Sequence, residues 1–380
     1  MNLARAACRL PIRGCRVGHA VALAVATVAV ATVAGAGQGR AELRAPPAPA
    51  TVAAIPSAGA ASAPGDVEPR SGFAAWLAAF RSDQLRDGAP PAALDAVLNG
   101  LTYSPRVVEL DRAQPDGGPA ADFAAYRDRH VEPVLIARGR RMQAEIADQL
   151  GADELATGIP RSVVLAIWGM ESSFGVVTGT FDVPRSLATL AFDGRRREMF
   201  TRELAATVSI VASGRVGRDR LTGSWAGAMG QPQFLPSTYL AYARDADGDG
   251  HPDIWTSRSD VALSIATKLA AAGWRRGGRW GLEVAVPPDL ARDRIRDLVA
   301  PTTCPRVYAK HSRWLTIGEW RALGLTAREW PGDAMLATLV EPDGPGGPAY
   351  LTLGNYRALL GYNCSNFYAL SVGILSDALR

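Results

Sequence analysis

One carboxylate, Glu171, closes an apolar run in Trp168-Gly-Met-Glu-Ser-Ser-Phe-Gly175. A glutamate held against such neighbours resists ionising, because loss of water disfavours its charged form. A carboxylic acid that stays protonated near neutral pH is the proton donor that glycosidic-bond cleavage requires. Standing alone, the same residue reads more readily as a surface glutamate near a helix end, and only a second feature reverses that reading. Gly223-Ser-Trp-Ala-Gly-Ala-Met-Gly-Gln-Pro-Gln-Phe-Leu-Pro-Ser-Thr-Tyr239 supplies it: a Gly-punctuated turn loaded with amides, hydroxyls and aromatics. Flat apolar faces for pyranose rings beside short polar groups for their hydroxyls suit a sugar groove.

These residues need a frame, and the spacing predicts one that is mainly helical. Pro160 suits a first helical position, Val163, Val164, Ile167 and Trp168 recur at helical spacing, and Gly175 is a natural stop. Phe73, Trp76, Leu77 and Phe80 mark one buried helix face, core rather than a ligand stripe. Another helix starts at Pro90-Pro and runs to Leu98. A longer one spans Ala124 to Leu150 with an interruption near Pro133, and further helices cover Arg197 to Ala212 and Val261 to Ala272. Gly/Pro-rich connections between them carry the polar motifs, where binding residues usually sit. From Gly281 to Tyr350 the character changes, and Val284-Ala-Val-Pro, Arg306-Val-Tyr and Ala337-Thr-Leu-Val340 read as short strands around a small sheet. Amphipathic helix returns from Tyr356 to Leu379. The expected class is α+β, predominantly helical, with a small β region.

The two chemistry-bearing segments together resemble the lytic murein transglycosylases of the membrane-bound lytic transglycosylase B family. Asp245-Ala-Asp-Gly-Asp-Gly-His-Pro-Asp-Ile-Trp255, Ala272-Gly-Trp274 and Gly361-Tyr-Asn-Cys-Ser-Asn-Phe-Tyr368 continue the likeness in the family's order, across residues 72 to 380. The resemblance implies a lysozyme-like core with peripheral inserts. It also implies cleavage between N-acetylmuramic acid and N-acetylglucosamine without net addition of water. One glutamate acts as acid and then base, and the muramic acid 6-hydroxyl attacks its own anomeric carbon to leave a 1,6-anhydro end. A nucleophile already held beside the reacting carbon needs no second carboxylate to activate water. Asp182 and Asp193 are available, but neither sits in a motif that marks it as a catalytic partner. By match to the family motifs, Glu171 is the catalytic residue and Ser224, Gln233, Tyr362, Asn363 and Tyr368 line the groove. Arg195 and Arg196 meet the acidic or peptide part of the substrate; Arg suits carboxylates through its fork of donors. Read alone, the arginine run is a solvated helix face and the two tyrosines are core aromatics.

Two further features accompany this chemistry. Asp245, Asp247 and Asp249 alternate before Gly250 as in an EF-hand loop, with the His251 carbonyl at the seventh position. Thr256 replaces the bidentate glutamate expected at the twelfth. In the resembling family a later aspartate closes an atypical loop, and Asp260 fits that role, so a structural Ca2+ is expected here and no cofactor for catalysis. The competing reading is an exposed Asp-Gly turn whose carboxylates bond their own backbone. Cys304 and Cys364 remain as an even pair if Cys8 and Cys15 leave with a signal; they form either a disulfide in an oxidising compartment or two buried thiols.

The signal itself is read in residues 1–41: Arg5, Arg9, Arg13 and Arg16 precede a small-apolar stretch from Ala20 to Ala36. No Cys lies directly after that stretch, so a periplasmic protein is expected rather than a lipoprotein. Residues 42–70, rich in Ala and Pro, read as a disordered tether, and 71–380 as the catalytic domain. With 48% hydrophobic residues the 380-residue chain has ample material for a core. Of its 41 basic residues only Lys268 and Lys310 are lysines, a bias that looks like codon usage. A net charge of +4 without basic runs among aromatics excludes a nucleic-acid-binding pattern. The expected partners are peptidoglycan glycan strands and cell-wall remodelling proteins, met by a monomer. A lysozyme-type hydrolase and an inactive peptidoglycan-binding scaffold are the alternatives; the intact Glu171 argues against the second.

Overall fold

The computed structural model describes residues 67–114, 122–298 and 303–380. The export signal and most of the tether fall outside them, but helix α1 (Val67–Arg86) begins inside the segment read as tether. Pro69 lies in its first turn, where a proline breaks no internal hydrogen bond. Phe73 and Phe80 are buried on this helix, and Phe73 and Trp76 pack with Tyr103 and Phe192. Helices α2 (Pro91–Leu98) and α3 (Pro105–Arg112) follow, both entered through proline.

The long helix expected from Ala124 with an interruption near Pro133 has that break and a second one, giving α4 (Phe123–His130), α5 (Pro133–Glu145) and α6 (Ala147–Thr157). Pro133 explains the first break. At the second, Ile146 leaves helical geometry (φ −126°, ψ 36°) without any breaker residue. The bend lets α5 lie on α7 (Arg161–Ser172) and α6 on α11 (Arg258–Ala271), so packing decides it. Between these come strand β1 (Phe181–Asp182), α8 (Val183–Asp193), α9 (Arg197–Ala212), β2 (Thr222–Gly223) and α10 (Pro236–Tyr242). The pair β1 and β2 is antiparallel. Helix α7 is buried on every side from Ser162 to Met170, the pattern of a helix at the centre of a core.

The region after α11 carries β3 (Gly281–Glu283), α12 (Pro305–Tyr308), β4 (Leu315–Thr316), α13 (Ile317–Ala322), β5 (Leu336–Val340) and β6 (Tyr350–Thr352). The sheet is antiparallel in the order β3-β6-β5-β4, with Leu282 and Leu339 both opposite Leu351. Side chains alternate across it. Leu339 and Leu351 join a small core with Ile317, Trp320 and Leu325, while their neighbours Val340 and Tyr350 belong to the main helical core. Two strand expectations need correction. Arg306-Val-Tyr is the helical turn α12, for which Pro305 at the first position is suited, and the strand placed at Val284 lies just before it. The C-terminal helix is also two, α14 (Tyr356–Tyr362) and α15 (Asn366–Ala378), because Asn363 and Ser365 are extended and the Ser365 hydroxyl caps α15.

Candidate active site

Glu171 sits in the last turn of α7, and the chain leaves that helix through three residues of positive φ: Ser173 (53°), Phe174 (61°) and Gly175 (84°). The helix therefore stops at Ser173, two residues before the glycine that marks a stop in the sequence. Only Gly175 takes this conformation without cost. The other two are held by contacts. Arg138 donates to the Ser173 carbonyl (3.1 Å) and hydroxyl (3.0 Å), and the Phe174 ring is buried against Trp168. Gly169 gives that ring its room, since a Cβ there would meet it at 3.1 Å. The turn fixes where Glu171 points and brings its backbone onto the second motif. A Cβ on Gly175 would strike Gln231, and one on Gly179 would strike Gly223 and Ser224.

Gln231 braces this junction. Its Oε1 accepts from Trp168 Nε1 (2.9 Å) and its Nε2 donates to the Trp255 carbonyl (2.8 Å). Gln233, also at positive φ, donates to the carbonyls of Thr178 (3.1 Å) and Gly230 (2.8 Å). The Ser224 hydroxyl accepts from Ala228 N–H at 3.0 Å, which leaves its own proton available.

The break between α14 and α15 delivers the remaining polar groups. Tyr368 donates its hydroxyl to Glu171 Oε1 at 2.7 Å. Tyr362 donates to the Pro232 carbonyl (3.1 Å), and Asn363 is buried with an Oδ1 that finds no partner among the described residues. The disulfide Cys304–Cys364, Cα atoms 6.0 Å apart, ties this break to the start of α12.

Burial pushes the Glu171 carboxyl up to about 7, against smaller opposing effects from the Tyr368 hydrogen bond and the charge of Lys268. Tyr368 and Tyr362 are themselves raised far beyond the tyrosine range, by burial first and by the nearby Glu171 charge second, so both remain hydrogen-bond donors. Among the described residues no second carboxylate bears on Glu171. Asp182 caps α8 through Arg185 N–H and pairs with Arg218, and Asp193 pairs with Arg112. A half-buried acid that titrates near pH 7, steadied by a phenol and with no other carboxylate acting on it among the described residues, can donate one proton and take one back. A cavity of about 700 Å³ lies elsewhere, between Arg292, Lys310, His311 and Glu341, and contains none of these groups.

Residues 72–377 match the family described as the transglycosylase SLT domain. The chain belongs to this transglycosylase family. It is 31% identical over 288 residues to membrane-bound lytic murein transglycosylase B of Escherichia coli (strain K12), covering 75% of this chain and 74% of that protein. Among solved structures it is similar to SltB3 from Pseudomonas aeruginosa in complex with NAG-anhNAM-pentapeptide. That likeness has 38% identity and a TM-score of 0.73 over 81% of this chain and 79% of the other. It is also similar to the Escherichia coli lytic transglycosylase SLT35 in complex with calcium, at 27% identity and a TM-score of 0.67 over 80% and 92% of the two chains. The lysozyme-like fold and the enzyme class, lytic transglycosylase, follow from this membership.

In the transglycosylase the motif residues do not all gather at one point. Glu171, Tyr362 and Tyr368 come together, with Ser224 and Gln233 on the turn packed against the chain that follows Glu171. Arg195 and Arg196 lie at the junction of α8 and α9, gripped by the buried Asp111 of α3. Arg195 bonds both Asp111 oxygens at 2.6 Å and Arg196 bonds one at 2.6 Å. Burial alone would raise Asp111, but these hydrogen bonds hold its carboxyl below the usual range. The Asp-rich loop precedes α11. One carboxylate oxygen each from Asp245, Asp247 and Asp249 lie within 4.8 Å of one another. Asp260 is outside that trio: its two oxygens accept from Ala246 N–H (2.8 Å) and Asp253 N–H (2.7 Å), so it clamps the loop's two ends. The His251 ring lies at 3.2 Å from the Arg215 carbonyl.

Two residues escaped the sequence reading. Asp111 carried no signal, being one acid in an ordinary amphipathic helix. Lys268 did carry one, as one of two lysines in a chain that otherwise writes its cations as arginine; its charge acts on Glu171, and its ammonium lies 3.5 Å from the centre of the Tyr362 ring.

Proposed function

We propose that Glu171 performs both proton transfers in cleavage of the MurNAc–GlcNAc β-1,4 bond of peptidoglycan, leaving 1,6-anhydroMurNAc ends. The observation that carries this reading is the solitary, raised carboxyl of Glu171 bonded by Tyr368. Protonated, it gives its proton to the leaving oxygen; as carboxylate it then removes the proton from the muramic acid 6-hydroxyl. The substrate holds the nucleophile, so the missing second carboxylate is no defect. The relative whose bound fragment contains anhNAM supports the same product class. Asn363, with its unpartnered Oδ1, and the Ser224 hydroxyl are suited to substrate amides and hydroxyls, and Tyr362 and Gln233 line the same wall. Arg195 and Arg196, preset by Asp111, receive the acidic part of the muropeptide.

The oxygen donors of Asp245, Asp247, Asp249 and the His251 carbonyl fit a hard cation, with Asp260 holding the loop in shape. Calcium there neutralises three crowded carboxylates and takes no part in cleavage. Export to the periplasm is supported by residues 1–41 and by the Cys304–Cys364 pairing; among the described residues no helix is long and apolar enough to cross a membrane. Remodelling partners and a monomeric state complete the proposal.

Glu171→Gln tests it. The folded variant is expected to bind glycan strands and to lose at least about 10²-fold in turnover, the usual scale of acid–base help. Near-normal turnover refutes the assignment. Mass spectrometry of wild-type digests separates the chemistries: products lighter by one water than hydrolytic ends support the anhydro route, and reducing ends would mark a hydrolase.

A further inference from the structure

We propose that Lys268 is the electrostatic counterpart of Glu171, a positioning residue whose ammonium, seated on the Tyr362 ring, stabilises the carboxylate that Glu171 becomes during the reaction. Lys268 projects from α11, which packs against both α7, the helix of Glu171, and α14, the helix of Tyr362. Its Nζ lies 3.5 Å from the centre of the Tyr362 ring and 5.2 Å from that of Phe234. Its one hydrogen bond among the described residues is to the Tyr362 carbonyl, a weak one at 3.4 Å. No carboxylate there lies within ion-pair reach of it, so its charge is caged by aromatic faces without being neutralised. The groups that bear on the pair from the packed helices are Tyr362 of α14 and Tyr368 of α15, both held neutral. Glu171 is thus the acid whose charge state this ammonium senses.

The residue type supports the assignment. Thirty-nine of the 41 basic residues are arginine, yet the cation beside the acid is lysine. The ammonium is a compact point charge over one phenol ring, as the Arg357 guanidinium is a broader one over Tyr308 and Trp314. Burial lowers Lys268 to about 8, with the Glu171 charge opposing, so the ammonium persists through the neutral range. In the reaction Glu171 passes its proton to the glycosidic oxygen and later regains one from the 6-hydroxyl. Lys268 neither gains nor loses a proton; it offsets the charge left on Glu171 between the two transfers.

The inference rests on Glu171 as the acid, and its test separates the two. Wild type, Lys268→Met and Lys268→Arg are compared by pH dependence of kcat/KM and by titration of the Glu171 side-chain carbon by NMR. Removing a nearby positive charge disfavours the carboxylate, so Lys268→Met should move the alkaline limb and the NMR midpoint upward by roughly 1 pH unit. It should also lower plateau kcat by up to about tenfold, because the acid is weaker. Lys268→Arg should return both readings towards wild type. An unmoved midpoint in folded Lys268→Met, or the same shift in Lys268→Arg, overturns the proposal even where activity falls. Should Lys268→Met not fold, Lys268→Gln, uncharged with a polar tip, enters the same measurements. Glu171→Gln with full activity instead overturns the acid assignment itself.

Discussion

Replacing Glu171 by Gln should make the protein more stable as well as inactive, and the gain should depend on pH in a defined direction. In the folded chain the carboxyl is raised by burial from 4.5 to about 7, so the native state prefers the protonated acid. Below about pH 4.5 folded and unfolded chains both carry that proton and nothing is lost. As pH rises the unfolded chain releases it first, and the native state loses stability until its own carboxyl ionises near 7. At about 1.4 kcal/mol per pH unit, the loss is at most about 3 kcal/mol; solvent screening at this half-buried residue brings it nearer 1–2 kcal/mol. Gln has the shape of the protonated acid and can still accept from the Tyr368 hydroxyl. The variant should therefore match wild type at pH 4.5 and exceed it by about 1–2 kcal/mol at pH 8. Urea melts at the two pH values, at fixed calcium, measure the difference. An equal effect at both pH values, or a variant weaker than wild type at pH 8, would refute the claim that burial holds this acid protonated.

Asp111→Asn should cost about 2 kcal/mol at neutral pH, less than a fully buried pair because both arginine side chains are partly exposed. Since the Asp111 carboxyl is depressed in the fold, that cost should fade as pH drops through and below 4, and chemical denaturation across pH 3 to 7 would show whether it does. Joint replacement of Cys304 and Cys364 by Ser should lower stability by up to about 4 kcal/mol in the loop-closure picture, for a separation of 60 residues. Non-reducing peptide maps of protein taken from the periplasm should show the crosslinked pair; two free thiols would contradict it. Calcium at a hundredfold excess over its Kd should add about 2.7 kcal/mol, and Asp247→Ala should remove the difference between melts with calcium and with chelator. Identical melts throughout would reduce the Asp-rich loop to a solvated turn.

Some of this molecule was legible before any coordinates. Local signals reported local facts: proline at the start of α2, the spacing of Phe73 and Phe80, and the limits of α9 at Arg197 and Ala212. Short motifs picked out Glu171, Tyr362 and Tyr368, and the fold brings these three together. What failed was decided by contacts distant in sequence. Nothing near Ile146 breaks a helix; the bend exists because α5 and α6 cover different partners. The positive φ at Ser173 and Phe174 is paid for by Arg138 and by the space left at Gly169, residues with no pattern of their own. That the Asp260 oxygens accept from the amides of Ala246 and Asp253 and so clamp the loop was likewise invisible in the sequence. Sequence alone determined which groups are available and what each can do with a proton. Tertiary structure decided their protonation and their neighbours, because desolvation and charge act across space: the phenol of Tyr368 lies 197 residues from Glu171 and bonds it at 2.7 Å.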